Sequence, residues 1–288
     1  MNPEEYAAQQ ALISAATARY VMAFAKFFAR PALLLTQWIG LLQLLFPEIQ
    51  RQREQSAALA RAFYDSQREL HHPNLPRNDR PLEEYTFKWF AENMDPARKR
   101  MSQMDSPDDA VTHLAMRAVR EVENAGRKQI VHAVENDPAP KIIRGWARVA
   151  TGRETCAWCL MLVSRGPTYL GAGTAGLDLD DTSAQRMIAA GEDVSEFMEQ
   201  WHTGCDCKVV PVFKTEGWPG QEAADRALDL WTDATTEARR ILEENPDKKS
   251  FVKGRWIPTT LNREAINTLR RRLDKGEITT TEFAALAA

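Results

Sequence analysis

The sequence predicts an α+β protein, predominantly helical, in which long helical arms flank a small mixed module. Three observations predict it. Apolar residues recur at three- and four-residue steps through the first 140 residues and again beyond residue 220. Between these stretches the texture changes to short runs of β-branched and aromatic residues. That middle stretch also contains all four cysteines, within 52 residues. The predicted organisation is an N-terminal helical region (1–80), a helical strut (81–140), an α+β Cys/His module (141–215) and a C-terminal helical region (216–288).

In the first region Ile13, Ala16, Tyr20, Phe24 and Phe27 form one apolar stripe. Pro31 breaks it, and Ala32 to Phe46 follows as a second helix. Pro47 suits the first turn of a third helix, where its missing N–H costs nothing, and Leu59, Phe63 and Leu70 continue that helix. His71 to Asp79, rich in proline and asparagine, reads as a loop. Ala32 to Phe46 has 15 residues and two glutamines, whereas a membrane span needs ~20 apolar residues. A helix buried or covered by a partner is expected there, not membrane insertion.

Leu82 to Met94 is amphipathic. Ser106-Pro107-Asp108-Asp109 marks a helix start, with a capping serine, a first-turn proline and acid at the positive end. Val111, Leu114, Ala118, Val122 and Ala125 carry the stripe to a stop at Asn136-Asp137-Pro138. About 30 helical residues would reach about 45 Å, the length of a strut between two bodies.

Ile142 to Ala150 reads as a strand ended by Thr151-Gly152. Residues 164–181 are glycine-rich loop, Thr182 to Met198 can form short helices, and Lys208 to Phe213 resembles an edge strand that tolerates Pro211. A helix over 221–244 places Leu228, Trp231, Ala238 and Ile241 on one side. Trp256 and Pro258 sit in a connector. A last helix, starting near Asn262, groups Ile266, Leu269 and Leu273, and Thr279 to Glu282 fits a capping box.

Net charge is −3 with pI about 6.0, so no global basic field predicts nucleic-acid binding. No secretory signal precedes the first helix, so synthesis in a cytoplasm is expected, where thiols stay reduced and clustered cysteines favour a metal. The cysteines stand as Cys156-Ala157-Trp158-Cys159 and His202-Thr203-Gly204-Cys205-Asp206-Cys207. Zinc takes four thiolate or imidazole ligands at tetrahedral angles. Cys156, Cys159, His202, Cys205 and Cys207 are therefore five candidates for four places, and spacing leaves open which is omitted. Closing the intervening loop costs roughly 3 kcal/mol, against ~10–16 kcal/mol for structural zinc binding in small peptides.

Disulfides would need an oxidising compartment, and a thioredoxin-like pair would need flanking strand–helix alternation. A catalytic zinc would need an open position and a general base, for which Glu154 or Asp206 could be nominated. The chain has no Ser-His-Asp arrangement, phosphate-cradling glycine loop or His-Glu-x-x-His, and no catalytic residue is assigned.

Three stretches, Gly145 to Cys159, Ser164 to Tyr169 and Trp201 to Pro211, resemble the Mu F-like minor head (head-morphogenesis) proteins of tailed phages. The likeness is greatest to the version found in phages of actinobacteria, and it covers about residues 140–215. Thr203 stands where that family commonly has proline. The resemblance implies a virion component inside the head at the portal vertex, aiding head assembly or DNA delivery. Its partners would be the portal protein, with the major capsid protein or packaged DNA as further candidates. The cofactor would be structural zinc at the five motif positions. Alternative readings are a zinc-assisted hydrolase or nucleotide-acting transferase on the same module, and a phage DNA-binding accessory protein.

Phe24, Phe27, Phe28, Trp38 and Phe46 exceed what a short helical segment readily covers. They form either the region's own core or a face laid on a partner. Arg144, Arg148, Arg153 and Arg165 surround the mixed module and could reach DNA phosphates. Lys248-Lys249 and Arg270 to Arg272 read as solvated charge runs.

Overall fold

The computed structural model describes residues 1–27, 33–77, 81, 84–101, 110–152, 155–167, 186, 190, 201, 203–205, 207–252 and 254–286. Among these the helices are α1 (Pro3–Ala25), α2 (Leu35–His71), α3 (Phe87–Met101), α4 (Ala110–Glu135), α5 (Ala157–Val163), α6 (Gln221–Glu244) and α7 (Leu261–Asp274). The strands are β1 (Gly145–Val149), β2 (Lys208–Val212), β3 (Lys249–Val252) and β4 (Arg255–Pro258). The protein is thus a predominantly helical α+β chain. The predicted Ser106–Asp109 start, most of Thr182–Met198, and Phe28, Arg153, Glu154, His202 and Asp206 lie outside the described residues.

The chain divides into two units, one of Met1–Pro138 and Trp201–Gly204, the other of Ala139–Gln200 and Cys205–Ala287. The first is a bundle of α1 to α4. Asn2 starts α1 with a capping box: its Oδ1 accepts the Glu5 N–H at 2.8 Å, while Glu5 Oε2 accepts the Asn2 N–H at 3.0 Å.

α2 departs from the sequence expectation, because Pro47 lies inside a single 37-residue helix and does not begin a new one. The ring removes one backbone hydrogen bond, at about 3 kcal/mol. Burial offsets that loss on both sides, since Leu41, Leu42, Leu45 and Ile49 are all fully buried. They join Val21, Trp38, Phe90, Met94, Leu114 and Val122 in one core.

α4 packs against α1, α2 and α3. Instead of spanning open space as a strut, it is the central member of the bundle. Its buried face is partly polar, with Glu121, Glu123, Arg127 and Gln129. Arg127 donates to Glu123 at 2.6 Å, and Ser14 donates to the same carboxylate at 2.8 Å. Gly126 allows close approach, because a Cβ there would lie 2.7 Å from Ser56 Oγ. Beyond the C-terminus of α4, Asp137 accepts both a two-pronged Arg68 pair (2.7 and 3.1 Å) and the Tyr64 hydroxyl (2.5 Å). Arg68 and Asp137 are 4% and 5% exposed, so this ion pair is buried.

In the second unit β1 and β2 pair antiparallel, from Gly145 opposite Val212 to Val149 opposite Lys208. Pro211 lies opposite Trp146, and among the described residues the ladder has two strands, so each is an edge strand of the kind that tolerates proline. α5 packs on β1, α6 and α7. α6 buries Ala223, Ala224, Ala227, Ala234 and Ala238, while Leu228 is 48% exposed. Small residues face inward here because they let the helices approach, overriding the stripe of larger side chains read from the sequence.

The segment expected to be a connector is a hairpin, β3 paired with β4, closed by a turn in which Gly254 has φ +84°. The C-terminal tail returns to the module: the Ala285 N–H donates to Ala150 O at 3.0 Å, and Thr280 Oγ1 donates to Gly152 O at 3.1 Å. Among the described residues no helix is long and apolar enough to cross a membrane.

Candidate metal centre

The β1–β2 register brings the cysteine segments together. Val149 lies opposite Lys208. From Val149 the chain runs through Gly152 to Cys156, and Cys207 immediately precedes Lys208. Both pairs therefore arrive at the same end of one ladder. Cys156 is the N-cap of α5, in extended backbone (φ −83°, ψ 170°), and its sulfur accepts the Cys159 N–H at 3.5 Å. One helical turn carries Cys159 back over that end. On the other side Gly204, at φ +84°, turns the chain immediately before Cys205.

The thiols of Cys159, Cys205 and Cys207 lie within 4.8 Å of one another, and all three are buried. Cys159 Sγ and Cys205 Sγ are 3.5 Å apart, and none of the four cysteines is in a disulfide. Sulfurs around a tetrahedral zinc at ~2.3 Å would stand ~3.8 Å apart. The Cys159–Cys205 pair comes within a few tenths of an ångström of that spacing, and Cys207 lies within 4.8 Å of both, so the cluster can close on a metal. Hydrogen bonding with Cys156, then with Cys205 and Cys207, and then burial push the Cys159 thiol well above its ordinary range. Without a cation the cluster favours neutral thiols; a cation would reverse that preference by binding thiolates. Of the five predicted ligands, the structure unites Cys159, Cys205 and Cys207. It sets half-buried Cys156 beside Cys159. His202 lies outside the described residues.

The predicted partner-facing aromatics separate. Trp38 is 2% exposed and belongs to the bundle core. Phe46 packs edge-on against Phe87 at 5.5 Å and beside Phe90 at 5.6 Å. Phe24 tilts against Tyr20 at 4.7 Å on the rim of the core. Phe27 is 76% exposed, and so to a lesser degree are Leu34 and Leu35. Of the arginines around the module, Arg148 is buried, while Arg144 is exposed.

Spacing gave no sign of a second feature, a cavity of about 590 Å³ in the bundle, lined by Arg53, Tyr85, Trp89, Asn93, Arg120 and Glu121 among others. Glu121 Oε2 accepts Tyr85 Oη and Asn93 Nδ2, both at 2.8 Å, and the Arg53 guanidinium lies 3.5 Å above the Tyr85 ring. Desolvation, then the Glu121 charge, hold the Tyr85 hydroxyl well above its ordinary range, as a neutral donor. These residues come from α2, α3, α4 and the segment before α3, so no local motif could announce them. Trp201, just before His202, is held in the same unit with the Arg127 guanidinium 4.5 Å over its ring.

Comparison with known proteins gives a consistent picture. The chain is 53% identical to the Gene 15 protein of Mycobacterium phage D29 over 284 residues, covering 96% of this chain and all of the relative. It is 52% identical to the Gene 15 protein of Mycobacterium phage L5 over 303 residues, covering both chains in full. No solved structure matches. The profile of the VG15 protein family matches residues 2–234, and the chain belongs to that family of phage proteins.

Proposed function

We propose that this chain is a structural, non-enzymatic component of the phage particle: a minor capsid (head-morphogenesis) protein that docks on the portal from inside the head. The observation that carries the reading is the buried meeting of Cys159, Cys205 and Cys207. A catalytic zinc keeps one position open to water, whereas Cys159, Cys205 and Cys207 are all buried. A closed thiolate site acts as a clamp. We assign it structural zinc, with Cys156 or His202 as the fourth ligand. Further support comes from the minor-head motif on which the clamp is built and from the phage origin of the relatives. In this reading the exposed apolar tip of Phe27, Leu34 and Leu35 is the contact with the portal protein.

Purified protein is expected to carry about one zinc per chain, and Cys159→Ser to abolish it. Mass spectrometry of density-purified particles should find the chain in the virion. Co-precipitation with the portal protein should fall in a Phe27→Ser, Leu34→Ser, Leu35→Ser variant. Particles that assemble complete without the chain would overturn the capsid assignment. Metal-free native protein would overturn the clamp.

A further inference from the structure

The β3–β4 hairpin and the face of α7 beside it form a second site. Phe251 and Trp256 are a directly opposed cross-strand pair, so they share one face of the ladder. Their rings lie 5.3 Å apart with planes tilted by 57°, yet they are 62% and 68% exposed. Lys249, two residues before Phe251, projects from the same face. On α7, Arg263, Asn267 and Arg270 recur at four- and three-residue steps and so line one side of the helix. Together these residues border a groove of about 460 Å³.

The groove is strongly cationic although the chain as a whole is acidic. Lys248, Lys249, Arg263, Arg270 and Arg271 line it, against the single carboxylate of Glu264. That carboxylate is fully buried, and its Oε1 takes both Lys248 Nζ at 2.9 Å and Arg271 at 3.1 Å. Glu264 therefore fixes the floor of the groove and leaves a net positive rim. Lys249 and Arg270 stand exposed on that rim.

We infer that this groove binds single-stranded nucleic acid, with phosphates on the Lys249, Arg263 and Arg270 rim and a base stacked on Trp256. Cations along a backbone track, with a solvent-facing aromatic platform beside them, are what a flexible polyanion carrying planar rings requires. An acidic protein segment would use the charges but not the platform, and lysine is depleted at protein interfaces. Duplex DNA would hide its base faces from the indole.

The test uses the full chain and two labelled probes, a thymidine oligonucleotide and a duplex of equal length, read by anisotropy and by quenching of tryptophan emission. The single strand is expected to bind, and its affinity to fall steeply between about 50 and about 200 mM salt. Trp256→Ala should weaken binding about tenfold, and Trp256→Tyr should restore most of it. A Lys249→Glu, Arg270→Glu variant should lose binding while the zinc content and thermal unfolding stay unchanged. Equal or tighter binding of the duplex, unaltered by Trp256→Ala, overturns the inference. So does binding of labelled polyglutamate by a protein that does not retain the oligonucleotide, or the absence of any oligonucleotide binding at low salt.

Discussion

The two units hold themselves together by different means. The bundle is built from four long helices whose apolar faces meet in one continuous core, with buried ion pairs set into it. The second unit has five-residue strands and a seven-residue helix around its cysteines. Regular structure that short buries little by itself, and the returning tail, α6 and α7 pack on it; the proposed clamp would tie the cysteine ends as well. With the proposed clamp in place, the fold would rest on area where helices are long and on a few strong bonds around the short elements.

The sharpest way to break that contrast is to remove the clamp. Cys207→Ser, or a strong chelator, should release the metal and open the second unit to hydrogen exchange and proteolysis, because metal binding there is worth on the order of 10 kcal/mol. Helices α1 to α4 should remain protected. Equal loss of protection in both units would show that the bundle depends on the module.

Next in size is the buried pair at the end of the bundle. Asp137→Ala removes the carboxylate that balances the buried Arg68 charge and accepts the Tyr64 hydroxyl, and should cost about 3–5 kcal/mol in a denaturant titration that follows the bundle. Metal content should be unaffected. Gly126→Ala is the steric counterpart, since the new methyl meets Ser56 within contact distance, and a loss of about 1–3 kcal/mol is expected. The mildest change is Thr260→Ala at the start of α7, where the side chain accepts the Arg263 N–H at 3.3 Å. It should lower the stability of the second unit by about 1 kcal/mol and leave the bundle melt in place.

Much of this was legible beforehand, for reasons visible in particular residues. Periodic apolar positions marked α1, α4 and α7, and runs of β-branched and aromatic residues marked β1 and β2, because these signals are local. The polar cavity around Glu121 was not legible, since Arg53 reaches it from α2, Asn93 from α3 and Tyr85 from the segment before α3. Pro47 looked like a boundary because its local cost is real; distant side chains outweigh it. The β3–β4 hairpin was missed because its faces alternate poorly and its aromatics point to solvent.

By itself, the sequence determined the helical character of the chain and the close-spaced thiols that the proposed metal would use. The spacing of the sulfur pairs and helical periodicity both need only neighbours along the chain. Tertiary structure alone decided that Trp38 faces inward while Phe27 faces outward, and that alanines rather than Leu228 seat α6. It also decided that Cys159 meets both Cys205 and Cys207. Those outcomes depend on which surfaces approach from far along the chain, and burial is settled by the partner a face finds, not by its own composition.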